Sequence, residues 1–435
     1  MRSVVYPRNP SAGAVWRGRM RLPILLLLAV IGLSQRALAD DADALLLADT
    51  APISVKVASD WQWYAETAVG QSTPRTGSTA TANQRLSLDM QFDKSFAPDW
   101  RAVMADRWDL TWPAQGGDQR GINTLKEAYL SWQPQEDRMV DLGRINAPYG
   151  VATGYNPTDF LRSGAIRSLV SVDPGSLKKN RMGSVLLRGQ TLWSGGSLTA
   201  LYSPKLAGQP NAAAFSADLG ATNSQHRWLL SVSQRLTENI NPQWLVYGGA
   251  NQSPQLGFNL TTLLGDAGVA FVEWSAGRSR TQWSEALQLA EDEALRNRLA
   301  AGLTYTTQHK LSLTLEYDYN GAALDAEKWK ALMRGSALAY GQYRQWVQYR
   351  QEMPTQQAAF LYALWQDAMV NRLDLSAMLR FNVADHSRLS WLEARYHWDR
   401  VDLALQWQVN SGNAGSEYGA APQQRAWQAL VRYYF

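Results

Sequence analysis

The chain has 435 residues, 46% of them hydrophobic, with 19 Trp, 18 Tyr, 9 Phe, no cysteine and a formal net charge of +4. Mean hydropathy is -0.32, and past the N-terminus no run of about eighteen apolar residues occurs, which excludes a helical membrane protein. The lack of cysteine removes disulfides, thiolate metal sites and cysteine nucleophiles, and so mild a charge gives no reason to expect nucleic acid as a partner.

In chain order, Arg17, Arg19 and Arg21 precede an apolar stretch from Leu22 to Leu33, and Ala37-Leu38-Ala39 is a small-x-small pattern before Asp40. Together these are a secretory signal peptide over 1–39, whose apolar part is too short to span a bilayer. A short periplasmic segment over 40–53 and a single barrel domain over 54–435 are expected to follow. Period-two alternation then recurs, first from Arg85 to Asp93. It is clearest from Lys310 to Tyr319, where Leu311, Leu313, Leu315, Tyr317 and Tyr319 alternate with Ser312, Thr314, Glu316 and Asp318. Arg372 to Asn382 and Val401 to Asn410 repeat it. Aromatic residues such as Tyr317 and Tyr319 gather toward strand ends, which suits a lipid interface better than an aliphatic core.

Strands are predicted to begin near 54, 83, 100, 122, 139, 181, 196, 225, 243, 257, 268, 296, 310, 357, 372, 387, 400 and 424, about eighteen in all. Their connections alternate short and long. Ala97-Pro98-Asp99, Ser194-Gly195-Gly196, Asp266-Ala267, Gln308-His309 and Asp399-Arg400 are short. Gly70 to Ala82, Ala147 to Asn180, Ser203 to Ser224, Ser279 to Leu295, Gly321 to Gln356 and Ser411 to Gln423 are long, and the brief Ala384 to Ser387 link is the one exception. The fold class is therefore all-β, a transmembrane antiparallel up-and-down β-barrel with tight periplasmic turns and long extracellular loops.

The last ten residues alternate, with Trp427, Ala429, Val431, Tyr433 and Phe435 on one face. This ending resembles the recognition signal of Gram-negative outer-membrane barrel proteins. The resemblance implies Trp427, Tyr433 and Phe435 as the assembly signal, the barrel-assembly machinery as its reader, and an integral place in the outer membrane among lipid and lipopolysaccharide. Leu142-Gly143-Arg144 resembles the Leu-Gly-Arg before the third external loop of porins, which folds into the channel and narrows it, and Ala147 to Asn180 is the third external loop here. Strict alternation sets Arg144 on the face of Val140 and Leu142, so either Gly143 is a bulge or Arg144 lies at the rim. The architecture also resembles sugar-specific porins and alginate-export channels.

Between Arg144 and Arg188 the basic residues are Arg144, Arg162, Arg167, Lys178, Lys179, Arg181 and Arg188, against only Asp159 and Asp173. In a lumen such charge favours anions or anionic sugars, which makes Arg162, Arg167, Lys178, Lys179, Arg181 and Arg188 the candidate solute-binding residues. On the outer surface the same groups would clasp lipopolysaccharide phosphates, and both placements stay open. From Gly321 to Gln356 the period changes, with Trp329, Leu332, Met333, Tyr340, Tyr343 and Val347 spaced along one side of a helix, either a cap over the pore mouth or a helix packed on the rim. His226, His309, His386 and His397 have neither ligand spacing nor a catalytic signature and read as surface or girdle residues, so no enzyme, metal or cofactor is expected. The expected function is a channel for diffusion or export of small polar solutes, anions and saccharides included. The alternative is an outer-membrane scaffold or polysaccharide-secretion partner whose loops seal the barrel.

Overall fold

The computed structural model describes residues 60–76, 79–113, 120–250, 252–290 and 292–435. The segments 1–39 and 40–53 and the strand start near 54 lie outside them. The described strands are β1 (Trp61–Pro74), β2 (Thr81–Ala97), β3 (Trp100–Trp112), β4 (Gly121–Gln135), β5 (Arg138–Ile145), β6 (Ser184–Trp193), β7 (Gly196–Ser203), β8 (Arg227–Gln234) and β9 (Gln243–Gly249). They continue as β10 (Gln252–Leu264), β11 (Gly268–Ser279), β12 (Ala294–Thr306), β13 (Leu311–Asn320), β14 (Gln357–Trp365), β15 (Leu373–Asn382), β16 (Arg388–His397), β17 (Val401–Ser411) and β18 (Gln423–Tyr434). Each pairs antiparallel with its sequence neighbours, and β18 pairs with β1, so the 18-stranded sheet closes without a free edge.

The period of two is expressed as two faces. On β13, Leu313, Leu315 and Tyr317 are exposed on the outside while Thr314, Glu316 and Asp318 are buried inside, Leu315 being 60% exposed and Glu316 1%. A one-residue slip would exchange these faces, so the pattern fixes the register. Outward aromatic residues form two girdles. At the turn end Trp63 stacks on Phe435 at 4.2 Å and Trp100 on Trp132 at 5.9 Å. At the loop end stand exposed Trp112, Tyr202, Trp228, Trp407 and Trp427. An apolar exterior bounded by two aromatic rings is a membrane-facing wall.

One strand start within the described residues differs clearly from the sequence expectation: β10 begins at Gln252 instead of near 257, because Pro254 and a register shift between Gln252 and Gln255 break the alternation there. The link between β9 and β10 is consequently only 250–251, so the 383–387 link is not the only short one at the loop end.

Among the described residues five helices lie in the loops, α1 (Pro174–Lys179), α2 (Leu219–Thr222), α3 (Gln282–Ala286), α4 (Ala326–Arg334) and α5 (Ala337–Arg350). The helical period read between Gly321 and Gln356 corresponds to α4 and α5, with Asp325 and Ser336 as N-caps accepting from the amides of Lys328 and Ala339. Trp329 and Tyr343 are fully buried with Leu324, Leu332 and Val347 in a loop core of its own. That core is tied to its neighbours, since Trp329 Nε1 donates to Asp385 at 2.8 Å and Tyr340 donates to the Gly415 carbonyl at 2.6 Å. The pair is a packed cap at the loop end of the barrel.

Candidate solute pathway

Loop 3 (146–183) leaves the wall after β5 and enters the lumen. Gly143 stays in register with both Tyr129 and Leu186, so there is no bulge. Arg144 keeps the outward face of Leu142, and its guanidinium is covered by loop 4 (204–226), donating to the Ala217 carbonyl. Loop 4 also occupies the edge that loop 3 vacates. The Asn123 amide donates to the Ala214 carbonyl at 2.8 Å, and Phe215 lies edge-on against outward-facing Trp108 at 5.5 Å. The outward carboxylate of Asp106 is satisfied there by Asn123 Nδ2 and Trp108 Nε1, both at 2.7 Å.

Two buried glutamates on the far wall hold loop 3. Glu273 of β11 accepts the amides of Val151 at 2.9 Å, Ala152 at 3.1 Å and Thr158 at 2.7 Å, together with the Thr158 hydroxyl and Asn156 Nδ2. Glu316 of β13 accepts those of Thr153 at 2.8 Å, Gly154 at 3.0 Å and Tyr155 at 2.9 Å. Carboxylates on a run of amides make charge-assisted bonds, the strong kind. Gly150 is needed at the approach, because its φ is +104° and a Cβ there would lie 2.5 Å from Glu273 Oε1. Phe160 stacks on Tyr247 at 4.6 Å, and Leu161 joins the apolar inner wall of Leu186, Leu201, Leu229 and Leu245. The return limb reaches β14, where Tyr362 donates to Asp173 at 3.0 Å, and β2, where Arg85 donates to the Val170 carbonyl at 3.1 Å. The loop therefore touches several walls of the lumen.

The six candidate residues divide by partner. Arg162 pairs with Glu352 at 2.6 Å, Arg167 with Asp218 at 3.0 Å, Arg181 with Asp159, and Arg188 with Asp141 at 2.8 Å. Burial alone would raise Glu352, but Arg162 and Arg298 hold its carboxyl below the usual range. The first two pairs lock loop 3 to loops 7 (321–356) and 4, the third braces loop 3 internally, and the Arg188 pair lies in the wall between β6 and β5. Lys178 donates to the Ala152 carbonyl at 3.0 Å. Lys179 stays open, at the end of α1. Its ammonium is held below the ordinary lysine value by desolvation within the barrel, and by Lys126, Arg432 and Arg107 against the opposing pull of Asp89.

Those neighbours belong to a charged strip on the inner wall. Glu66 accepts from Arg85 at 2.6 Å and Arg432 at 2.7 Å, Asp89 accepts from Lys126 at 2.7 Å, and Asp109 from Arg107 at 3.0 Å. With Lys179, the five cations Arg85, Arg107, Lys126, Lys179 and Arg432 stand against the three anions Glu66, Asp89 and Asp109, a local excess of two positive charges. The strip went unnoticed in the sequence, although all its wall members occupy polar positions of alternating strands. His397 belongs to neither surface nor girdle. Its ring lies between Asp402 at 2.8 Å and Asp374 at 3.3 Å on the inner wall.

Neither a protein-family model nor a curated protein sequence matches the chain. Solved structures do match its shape. OccAB1 of Acinetobacter baumannii aligns with a TM-score of 0.55 at 10% identity, over 86% of this chain and 96% of that one. The fold is that of the outer-membrane porins. The outer membrane protein opdK of Pseudomonas aeruginosa aligns at 0.54 and 8% identity, over 86% and 99% of the two chains. OccK2 (OpdF) of the same organism, solved in complex with glucuronate, aligns at 0.53 and 11% identity, over 86% and 98%.

Proposed function

We propose that the protein is an outer-membrane channel for small polar solutes, with a preference for anions set where α1 faces the inner-wall strip. The observation that carries this reading is the surplus of two positive charges at that point, where Lys179 is open and the wall cations Arg107, Lys126 and Arg432 lie beside it. Charge beside a constriction in a low-dielectric wall acts on a passing ion with little screening, so a few residues outweigh the net charge of the whole protein. That a barrel of this fold has been solved with glucuronate, an anionic sugar, supports small acidic solutes as cargo. Arg162, Arg167 and Arg181 then act indirectly, by holding the loop that presents Lys178 and Lys179, whereas Arg188 pairs within the wall.

The test is the reversal potential across a salt gradient in planar bilayers. Wild type is expected to favour anions, and Lys178→Glu with Lys179→Glu to move the preference toward cations. An open pore with the same reversal potential in both would refute the assignment of selectivity to α1. The network joining loops 3, 4, 7 and 9 (412–422) favours one rival, a scaffold sealed by its loops, which would show no conductance steps at all.

A further inference from the structure

The chain ahead of β1 joins the sheet at the turn-end mouth of the lumen, directly below the charged strip. Asp60 precedes Trp61 there, its carbonyl accepting the Asp93 amide at 2.9 Å and its carboxylate pairing with Lys94 at 2.8 Å. The strip lies a short way up the same strand. Tyr64 is in register with Asp89 and Glu66 with Arg432, and four to six residues of strand from Asp60 span roughly 13–20 Å. Lys179 of loop 3 faces these residues, is exposed, and among the described residues is paired with no carboxylate. Arg432 keeps 21% of its side chain open beside Glu66. The excess of two positive charges therefore has an accessible face.

The sequence ahead of β1 has the opposite sign. Residues 40–49 hold Asp40, Asp41, Asp43 and Asp49 with no Lys or Arg, a charge of -4, or -3 with the α-amino group that removal of 1–39 leaves. We propose that this acidic stretch, Asp40 to Asp49, binds the inner-wall strip and Lys179 from the turn end, as a tethered anion in competition with solute anions. The tether has the length that this requires. Asp49 lies eleven residues before Asp60 and Asp43 seventeen, and coils of those lengths have r.m.s. spans of about 17–20 Å and about 21–25 Å. These match the distance to the strip, the condition under which a linked group reaches its highest effective concentration, on the order of millimolar. Opposite charges meeting beside a low-dielectric wall are weakly screened, so the contact is expected to survive at physiological salt.

The inference rests on the same surplus charge as the proposed anion preference, but cross-linking tests it whether or not the barrel conducts. The chain has no cysteine, so introduced thiols are the only ones. Ala44→Cys, which keeps all four acids, is combined with Ser176→Cys on α1, one turn before Lys179. The control combines it with Ser233→Cys on the inner face of β8, whose cross-strand neighbours are Ser197 and Gln243. Full-length protein that keeps its heat-modifiable migration is treated with a bismaleimide, and the cross-linked peptides are quantified. The yield at position 176 is expected to exceed that at 233 at least fivefold. Changing Asp41, Asp43 and Asp49 to Asn is expected to lower it at least fivefold, and so is 1 M salt, where the screening length falls to about 3 Å. Equal yields at the two positions, or a yield at 176 that neither the Asn substitutions nor salt reduces, would overturn the proposal. An anion-selective pore without the cross-link at 176 would also overturn it and leave the selectivity reading standing. A salt-sensitive cross-link at 176 in a pore without anion preference would support it and remove the selectivity reading.

Discussion

Replacing Glu316 by Gln should release loop 3 without touching the fold of the barrel. The carboxylate accepts three consecutive amides, those of Thr153, Gly154 and Tyr155. A glutamine keeps one oxygen but turns an NH₂ toward donors, so one to two of these bonds are lost. Hydrogen bonds to a charged group contribute about 1.5–3 kcal/mol each, which gives a local weakening of about 1.5–6 kcal/mol. At 1.4 kcal/mol per decade this is a rise of roughly 10- to 20,000-fold in the open population of the loop. Hydrogen exchange resolved by peptide is the direct assay. Protection of the amides of Thr153, Gly154 and Tyr155 should fall by that factor in Glu316→Gln, while β6 to β9 exchange as in wild type. The adjacent clamp at Glu273, untouched in the variant, should keep Thr158 more protected than Gly154. Wild-type protection across all these amides would refute the view that buried carboxylates anchor the loop, and the apolar contact of Phe160 and Leu161 with the wall would have to be sufficient.

Other perturbations follow from the same geometry. Leu315→Arg, at mid-height on the outer face of β13, should cost roughly 2–4 kcal/mol in reversible unfolding, against about 0–1 kcal/mol for Tyr305→Arg in the turn-end girdle; equal costs would refute the lipid-facing register. Deleting Phe435, or changing Tyr433 to Asp, is expected to leave unassembled protein in the periplasm, and a normal heat-modifiable band in the outer-membrane fraction would refute the assembly signal. Because the Lys179 ammonium is cationic only below its pKa, and that pKa lies below the ordinary lysine value, anion preference should decline on alkaline titration sooner than an ordinary lysine would allow; Lys179→Met should abolish the decline, and an unchanged titration in that variant would exclude Lys179 as its source.

Much of the barrel was legible because its grammar is local. A strand with one lipid face and one wet face must alternate, and a strand such as Leu311–Asn320 declares both faces within ten residues. The helical spacing of Trp329, Leu332, Tyr343 and Val347 was legible for the same reason. The start of β10 was not, since Pro254 interrupts the alternation where the strand begins. The charge of loop 3 was counted correctly but only along the chain, where Asp159 and Asp173 were the sole acids in view. The partners that neutralise it come from elsewhere: Glu352 lies 190 residues from Arg162, and Asp218 lies 51 from Arg167. Arg188 meets Asp141 across the β5–β6 pairing, a contact set by register and not by proximity in sequence. Arg144 was on the face that alternation assigned to it, but nothing nearby in the chain signalled that loop 4 would fold back to cover it.

The joint between β1 and β18 has a consequence for how such a barrel comes together. Glu66 and Arg432 meet there across 366 residues, and bringing the ends of so long a segment together costs about 5 kcal/mol by the logarithmic scaling of loop closure, before any constant. Until that joint forms, two long strand edges stand unpaired in a chain whose outer face is apolar, a form prone to aggregate. Yet the finished sheet treats this joint like every other ladder, with Tyr64 to Thr73 in unbroken register against Tyr434 to Arg425. The Phe435 amide even reaches the Trp63 carbonyl at 3.2 Å, so the two ends of the sheet are neighbours at the turn end. A circular permutant that links these ends and opens the two-residue turn after Ala97 should therefore build the same barrel with its last closure between β2 and β3. Which ladder forms last belongs to the order of the chain, and the sheet itself is indifferent to it.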